Sequence, residues 1–598
     1  MSDAPRGPAE EYAVRLAARR GEASRLARRQ RRISNARLTV FAAGLGVAWL
    51  SFGARLAAPA WLALPVTVFA ALVVWHDRVI RARARADRAV AFYERGLARL
   101  AGRWAGSGAA GEAFRDPHHP YAEDLDLFGP GSLFELLCSA RTAAGERRMA
   151  AWLLAPASPG EVRARQAGVE ELRPRLDLRE QLALLGEDVR AGLHPEALAA
   201  WGAAPPLHGV ATWRAIAAGL ALLALAALAG WIFGENGPLP LVFIASLEAL
   251  VGLRFRGQVH HVLRAAEQPA RDLALLSELV SRLEAEGFQA PRLVELRRAM
   301  QTEGAPASRE IARLRRLLEL ADARRNQLFA PLAALLLWGV QLGLAIEAWR
   351  QRSGGRIGAW LEAVGELEAL CSLAGHAWEH PGDPFPEIAA EGPLFDATEL
   401  GHPLLPEARC VRNDLRLGAE RRALVVSGSN MSGKSTLLRS VGINAVLALA
   451  GAPVRARRLV LSPLAVGASI RIHDSLQDGE SRFYAEIKRL RQIVDLARDA
   501  GHPLFLLDEI LHGTNSHDRG IGAAAVVRGL VERGAIGLVT THDLALARIA
   551  DELAPLAANV HFEDHLEAGR IAFDYRLRPG VVEKSNALAL MREVGLEV

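Results

Sequence analysis

The chain has 598 residues, of which 51% are hydrophobic and 23% are charged, and its formal net charge is +5. This length favours several domains, each with its own core, over a single compact unit. The three cysteines, Cys138, Cys371 and Cys410, lie far apart with neither paired nor metal-ligand spacing, so no disulfide framework or zinc site is indicated and a reducing compartment is expected.

Residues 1–37 form a basic, mostly polar segment with no signal-peptide pattern, since no clean small-residue cleavage site ends the first apolar run. We expect this segment to be cytoplasmic and to contact a membrane surface or nucleic acid. Its arginines are Arg6, Arg15, Arg19, Arg20, Arg25, Arg28, Arg29, Arg31, Arg32 and Arg37.

Residues 38–78 are predicted to form a transmembrane hairpin. Arg55 is the only charge between positions 38 and 75. As one helix this stretch would be about 57 Å long, nearly twice the roughly 30 Å of a bilayer's hydrocarbon core. Two spans, 38–54 and 56–75, fit better, with Arg55 and Pro59 at the turn. The alternative is a pair of core helices in a large soluble domain.

A second hairpin is predicted over 211–256, with spans at 215–234 and 239–253. The same soluble-core alternative applies to it. Glu248 in the last span is a functional intramembrane acid or a side chain that reaches the interface. Arginines flank both hairpins on the sides that we therefore place in the cytoplasm, so the hairpins point away from it. The lipid bilayer is thus an expected partner, in the inner (cytoplasmic) membrane.

The remaining N-terminal regions are predicted to be helical: 79–210 as a connector and 257–375 as a charged, lever-like region. Within the latter, 328–346 is a fifth apolar run. A fifth crossing would place the nucleotide site described next outside the cell, so we expect a buried helix or one lying on the membrane surface.

The clearest motif occupies 428–435 and fits the phosphate-binding pattern G-x-x-x-x-G-K-[ST] between a predicted strand and a predicted helix. Backbone N–H groups and the helix N-terminus would face phosphates, Lys434 would reach the β- and γ-phosphates, and the Ser435 hydroxyl would bind Mg²⁺. Lys434 is one of only three lysines in the chain. The predicted ATP-binding residues here are Gly428, Ser429, Asn430, Met431, Ser432, Gly433, Lys434, Ser435 and Thr436.

Two further apolar strands end in polar residues. The run 502–507 is followed by Asp508 and Glu509, and we predict that Asp508 holds Mg²⁺ while Glu509 activates the attacking water. The run 537–541 is followed by His542, which is predicted to sense the γ-phosphate. Lys434, Glu509 and His542 are therefore the predicted catalytic residues, with ATP and Mg²⁺ as cofactors.

These motifs, taken in order, resemble the ATP-binding-cassette class of nucleotidases. Within it the chain is similar to the MutS family of DNA mismatch repair ATPases, and specifically to a membrane-anchored, MutS-related branch. Met431 beside Asn430, and Gly513-Thr-Asn-Ser516 after the paired acids, carry the likeness. The resemblance implies an α/β P-loop ATPase domain of the ABC type at 376–598, preceded by a mostly α-helical MutS-like core and lever region that begins within 79–210.

The resemblance also implies that Ser481 matches the signature serine that contacts the γ-phosphate bound by a partner subunit, and hence a homodimer through the ATPase domains. The transporter signature Leu-Ser-Gly-Gly-Gln is absent from the sequence. The N-terminal Phe-x-Glu mismatch-reading module is replaced by arginines and apolar spans, and Phe92-Tyr-Glu94 and Phe385-Pro-Glu387 are chance matches to that pattern.

Two functions remain open. The first is a membrane-anchored MutS-like ATPase that couples ATP hydrolysis to DNA, mismatched or branched, through arginines between Arg292 and Arg325. Those arginines are equally explained as a solvated helix face. The second is a membrane-associated motor that acts on a protein or lipid partner without DNA.

Overall fold

A computed structural model of the chain describes residues 6–192, 194–234, 237–302, 304–322, 330–429, 431–471, 482–499, 501–511, 515–542, 544–567 and 570–582. Asn430, Ser481, and Gly513 and Thr514 lie outside these residues. The described chain is mostly helical up to residue 379 and α/β from there on.

The described N-terminal part contains fourteen α-helices, a few short 3₁₀ and π turns, and one short β-hairpin. The helices are α1 (Pro8–Ala48), α2 (Ala63–Leu100), α3 (Leu133–Leu137), α4 (Ala143–Leu154), α5 (Pro159–Leu172), α6 (Leu176–Gly192), α7 (Pro195–Ala203), α8 (Val210–Ile232), α9 (Leu239–Glu284), α10 (Pro291–Ala299), α11 (Ala307–Asp322), α12 (Ala330–Leu335), α13 (Trp338–Ser353) and α14 (Ile357–Glu379). The hairpin pairs β1 (Gln301–Thr302) with β2 (Ala305–Pro306).

The C-terminal part, which we call the α/β region, contains the remaining elements in chain order. They are β3 (Glu387–Ile388), β4 (Leu394–Leu400), β5 (Asn413–Gly418), β6 (Ala423–Ser427), α15 (Lys434–Ala450), β7 (Arg458–Leu461), β8 (Ala465–Ser469), α16 (Arg482–Asp499), β9 (Pro503–Leu507), α17 (Ser516–Glu532), β10 (Ile536–Thr541), α18 (Leu544–Glu552), β11 (Ala557–Glu567) and β12 (Arg570–Pro579).

Two sheets organise the α/β region. The larger has the order β12-β11-β6-β10-β9-β8, in which the last five are parallel and β12 is antiparallel to β11. The smaller has the order β3-β7-β4-β5. Strands β6, β9 and β10 are buried along their whole length, as expected for parallel strands covered by helices on both faces. Their carboxyl ends therefore meet at one edge of the large sheet.

Local sequence explains where several helices begin. Ser132, Thr142 and Asn515 each accept a hydrogen bond at the start of α3, α4 and α17 from the backbone N–H three residues on. Ser158 and Glu161 form a reciprocal capping box at α5. These side chains satisfy backbone donors that the first turn of a helix leaves unpaired.

Helices α1 and α2 form an antiparallel pair, which we call the N-terminal hairpin. Side chains meet in reversed order along it, from Tyr12 with Tyr93 to Phe41 with Phe69. The predicted turn near Arg55 and Pro59 is present, because α1 continues as a π-helix to Gly53 and a 3₁₀ turn starts at Pro59. Apolar side chains near this turn are exposed, among them Leu56 and Trp61.

By length and composition, three helical segments of the described chain could cross a membrane: Pro8–Gly53, Pro59–Leu100 and Val210–Ile232. They correspond to three of the four predicted spans. The fourth, 239–253, is the apolar and mostly exposed start of α9, and its 15 residues up to Arg254 measure only about 22 Å.

The fifth apolar run is not one helix. It is divided into α12 and α13 at Leu337, which has a left-handed φ of 46°. Two side chains stabilise the break, since Trp338 Nε1 donates to Leu320 O at 2.7 Å and Gln341 Nε2 donates to Leu336 O at 2.8 Å. Most of α13 is buried against the helical core, in agreement with the predicted buried helix.

Helix α14 lies at the centre of the helical part and is almost entirely buried. At Gly365 it approaches α4 so closely that an added Cβ would lie 2.7 Å from the Ala144 carbonyl carbon. Glu368, one turn further on, accepts hydrogen bonds from Arg141 N and from both the backbone and the hydroxyl of Thr142. The α4–α14 contact thus requires glycine at position 365.

We therefore expect Gly365→Ala to destabilise the protein by about 1–3 kcal/mol, the usual cost of overpacking a close helix contact. Gly358→Ala in the same helix is the matched control, because a Cβ there would meet no atom within 4 Å. Thermal unfolding in detergent compares the two variants. Equal midpoints for both would contradict the close α4–α14 contact.

Candidate nucleotide site

The phosphate-loop motif connects β6 to α15, as predicted. Gly428 has a φ of 154° and Gly433 a φ of 102°, both favourable to glycine. An added Cβ at Gly428 would lie 2.8 Å from Ser432 Oγ, and one at Gly433 would lie 3.1 Å from the Tyr575 ring. The loop therefore needs both glycines to curve closely around the start of α15.

Lys434 is buried, with 5% of its surface exposed, although it carries a charge. Its Nζ donates to Gly428 O at 2.8 Å and to Ser429 O at 2.9 Å, and lies 3.2 Å from Glu509 Oε1. These contacts hold the ammonium under the loop, where backbone carbonyls and one carboxylate balance its charge. The lysine is thus fixed in place by the protein itself.

Asp508 and Glu509 follow β9 directly, at the same sheet edge as the loop. Asp508 Oδ2 accepts a hydrogen bond from Ser435 Oγ at 2.5 Å, and Asp508 Oδ1 accepts one from Thr540 Oγ1 at 2.5 Å. The Thr540 hydroxyl also accepts from Glu509 N at 3.0 Å. Both predicted metal ligands, Ser435 and Asp508, are therefore in contact.

Glu509 has a left-handed backbone, with a φ of 44°, which is uncommon for a non-glycine residue. Such strain persists where surrounding contacts enforce it, and it concentrates at functional sites. Glu509 Oε1 lies 3.2 Å from Lys434 Nζ and 3.5 Å from His542 Nδ1. The structure thus brings together all three predicted catalytic residues around one carboxylate.

A cavity of about 970 Å³ opens over these groups. Of the predicted nucleotide-binding residues it is lined by Ser429, Met431, Gly433, Lys434, Ser435 and Thr436, and also by Asp508 and Glu509. Met431 is largely exposed and has a φ of 70°. Gly428 and Ser432 shape the loop beneath, whereas Asn430 and Ser481 lie outside the described residues.

Further cavity residues come from elements that are distant in sequence. His402 and Cys410 lie in the β4–β5 connection, Asn413 begins β5, and Phe562 and Tyr575 lie on β11 and β12. Asn413 Nδ2 donates to Tyr575 O at 3.0 Å, which ties β12 over the loop. Burial lowers the pKa of His402 to about 4, so its ring is neutral at physiological pH, and its Nδ1 accepts from Leu404 N at 3.2 Å.

Sequence reasoning did not assign Thr540, His402, Phe562 or Tyr575 to the site. Thr540 had a local signal, since it directly precedes the Thr541-His542 pair at the end of a strand. Tyr575 had none, because only the pairing of β12 with β11 brings it to the loop.

The residues present fit a nucleoside triphosphate with Mg²⁺. Among the described loop residues, the buried hydroxyls of Ser429 and Ser432 have no hydrogen-bond partner, so the loop has polar capacity to offer a ligand. Ser435 and Asp508 offer the oxygen donors that Mg²⁺ prefers. The cavity is large enough for a ligand of this size.

Comparison with known proteins agrees with this geometry. Residues 424–597 match the family model for MutS domain V. The chain is 34% identical over 244 residues to "Endonuclease MutS2" of Thermus thermophilus, covering 40% of this chain and 30% of that protein. It is 35% identical over 249 residues to "DNA mismatch repair protein MutS" of Natronomonas pharaonis, covering 40% and 28%. It is 32% identical over 286 residues to "DNA mismatch repair protein MutS 2" of Halobacterium salinarum, covering 46% and 31%.

These similarities confirm the predicted relationship to MutS for the α/β region. The matched region makes up less than a third of each of these relatives.

We expect Lys434→Ala to abolish ATP binding, because the buried ammonium would no longer reach the phosphates. Lys488→Ala, at an exposed lysine on α16, is the matched control and should bind ATP normally.

Glu509→Gln should bind ATP but hydrolyse it about 10²- to 10⁴-fold more slowly, the usual contribution of a general base. Binding of a fluorescent ATP analogue and phosphate release measure the two steps. Normal turnover by Glu509→Gln would show that another group activates water.

Proposed function

We propose that the chain is a membrane-anchored, MutS-like ATPase that binds and hydrolyses ATP in a homodimer and couples hydrolysis to DNA binding. The observation that carries this proposal is the double hydrogen bonding of Asp508 by Ser435 and Thr540, beside the Lys434–Glu509–His542 cluster. This arrangement joins the phosphate loop to the ends of two other strands. It supports phosphoryl transfer to water better than any other reaction.

The roles of the residues follow from their positions. Lys434 would exchange its carbonyl contacts for the β- and γ-phosphate oxygens. Mg²⁺, held by Ser435 and Asp508, would neutralise charge on those oxygens. Glu509 would orient the attacking water and accept its proton, and His542 would contact the γ-phosphate from the end of β10.

The proposed dimer rests on the match of Ser481 to the MutS signature serine. The described part of this region adds a link, because Glu486 in α16 accepts a hydrogen bond from Leu511 N, two residues after Glu509. Helix α16 thereby connects the neighbourhood of Ser481 to the segment that follows the catalytic acids. We propose that one subunit's α16 carries Ser481 to the phosphates bound by its partner.

Ser481→Ala should therefore lower ATP turnover without weakening ATP binding to an isolated subunit. Mixing Ser481→Ala subunits with Lys434→Ala subunits sharpens the test. Each mixed dimer has one site that combines Lys434 of the first variant with Ser481 of the second, so turnover should recover on mixing. Unchanged turnover by Ser481→Ala alone, or no recovery on mixing folded subunits, would refute the composite site.

The proposed membrane anchor rests on the exposed apolar surface of the hairpins. The three candidate spans bury little of their apolar windows inside the protein, from none in Pro59–Leu100 to 17% in Val210–Ile232. A soluble protein seldom exposes so large an apolar surface. We propose that these helices lie in the inner membrane and that the apolar start of α9 returns the chain across it after Val210–Ile232, where the bilayer thins to match this short span. The resulting four crossings leave the α/β region in the cytoplasm.

The proposed DNA contact is restricted to the exposed arginines on one face of α11. Several arginines of the 292–325 stretch are engaged in the core: Arg292 makes two hydrogen bonds to Glu366, and Arg297 donates to Glu286 O. Arg309, Arg313 and Arg316 are exposed on one face of α11, at spacings of four and three residues. Of these three, Arg313 also lies 4.0 Å from Oε1 of the buried Glu310, a loose charge pair that it would exchange for a phosphate.

ATP hydrolysis by the full chain in detergent, with homoduplex, mismatched or branched DNA at two salt concentrations, tests the coupling. We expect DNA to stimulate turnover, and salt to weaken the effect.

A triple variant tests the proposed DNA-binding face by combining Arg309→Ala, Arg313→Ala and Arg316→Ala. The slope of log K for DNA binding against log salt concentration should fall in magnitude by about 2–3. The charge-matched control combines Arg421→Ala, Arg457→Ala and Arg458→Ala. If anionic vesicles stimulated ATP turnover and no DNA changed it, the DNA coupling would be refuted and a membrane or protein partner would take its place.

A further inference from the structure

A cluster of two histidines and an aspartate lies where α14 ends. One ring nitrogen from each of His376 and His380 and one carboxylate oxygen of Asp383 all lie within 4.8 Å of one another. The histidines are four residues apart and so share one helix face. Asp383 follows in the tight turn after the helix, with its N–H bonded to His380 O at 3.1 Å. The cluster is remote in sequence from the phosphate loop and contributes nothing to the proposed hydrolysis.

His376 is 4% exposed, and its ring packs against that of His380 with centroids 4.4 Å apart. One of its ring nitrogens lies within reach of the ligand atoms that His380 and Asp383 offer. Burial holds the pKa of His376 well below its usual range. The ring is therefore neutral and offers a lone pair.

His380 is oriented by a backbone contact. Its Nδ1 lies 3.0 Å from His376 O, and because a carbonyl can only accept, Nδ1 carries the proton. Its Nε2 is then the nitrogen with the lone pair. A metal-binding histidine commonly donates its other N–H to a carbonyl in this way, which fixes the tautomer and the ring orientation. Burial also lowers the pKa of His380.

Asp383 is 7% exposed, and burial raises the pKa of its carboxyl group to about 6. Its Oδ2 lies 3.1 Å from Arg455 Nε. Among the described residues that nitrogen has no hydrogen-bond partner, so the contact is a charge pair without a directed hydrogen bond. A buried carboxylate with one poorly oriented partner has acceptor capacity left for another cation.

We propose that His376, His380 and Asp383 bind a divalent transition metal ion, with Zn²⁺ the best fit to two imidazoles and one carboxylate. Three such ligands with an open fourth position are a common zinc arrangement. Ligand bonds of about 2.0–2.1 Å place ligand atoms roughly 3.4 Å apart, so the three groups close inward on binding. Arg455 keeps its place beside the second oxygen of Asp383 as an outer partner.

The position of this site would let a bound metal hold neighbouring elements together, with its fourth position left to water. Glu379, in the same turn, accepts hydrogen bonds from Tyr12 of α1 and from Arg99 of α2. Arg455 N donates to Asn444 Oδ1 of α15 at 2.7 Å. The N-terminal hairpin, the central helix α14 and the helix after the phosphate loop thus meet at these few residues. A metal bound there would fix the turn that joins them.

Metal binding to the full chain in detergent, without nucleotide or histidine tag and after chelator treatment, tests the proposal. We expect one equivalent of Zn²⁺ by competition with a chromophoric chelator, and a visible absorption band when Co²⁺ replaces it. His380→Gln and Asp383→Asn should each weaken Zn²⁺ binding by about 100-fold or more, beyond the 10- to 100-fold typical of an outer-shell loss. Gel filtration establishes that both variants are folded.

Two controls make the outcome decisive. His118→Gln removes an exposed histidine elsewhere and should leave Zn²⁺ affinity unchanged. Asp508→Asn alters the proposed Mg²⁺ site and should also keep the equivalent of Zn²⁺, so this result is independent of the nucleotide proposal. The assignment would be overturned if the unmodified chain bound no Zn²⁺. It would also be overturned if folded His380→Gln and Asp383→Asn bound Zn²⁺ as tightly as the unmodified chain, or if Asp508→Asn lost the bound equivalent of Zn²⁺.

Discussion

The carboxylate of Asp508 is the fixed point of the α/β region. Its two oxygens accept hydrogen bonds from side chains on two different elements, Ser435 at the start of α15 and Thr540 near the end of β10. Charge-assisted hydrogen bonds of this kind are short and directional. They lock the phosphate loop to the sheet edge. The neighbouring acid, Glu509, has its left-handed backbone at this same edge and its carboxylate beside Lys434.

The helical part is held to this region through side chains rather than through a shared sheet. Asp124, in the segment between α2 and α3, accepts hydrogen bonds from Ile470 N and Arg471 N just beyond β8. Glu379 at the end of α14 binds Arg99 and Tyr12 within the helical part. One apolar cluster also runs from the helical part into the α/β region, with Leu125 and Leu506 among its members. Buried polar contacts and a shared apolar core thus hold the two parts together.

The catalytic motif could be predicted because Asp508 and His542 directly follow buried strands and Ser435 follows the glycine loop that leaves β6. Local pattern therefore places all three at one sheet edge. Tyr575 could not be predicted, because its proximity to the loop depends on the pairing of β12 with β11. Thr540 had only the local signal of its place before Thr541 and His542. The turn near Arg55 was predicted from length and charge. The break at Leu337 was not predicted, because the apolar run is continuous in sequence there. The side chains of Trp338 and Gln341 stabilise the break through hydrogen bonds to Leu320 O and Leu336 O.

The length of the N-terminal hairpin has an electrostatic consequence. Helix α2 has 38 residues, so it is about 57 Å long, whereas a bilayer's hydrocarbon core is roughly 30 Å thick. In the proposed topology about half of the helix stands in the cytoplasm as a stalk. The negative potential of an anionic leaflet decays within a Debye length of about 8 Å at physiological ionic strength. The stalk thus holds the α/β region beyond the reach of that potential, where polyanions such as ATP and DNA can approach without repulsion from the lipid to which the protein is tethered.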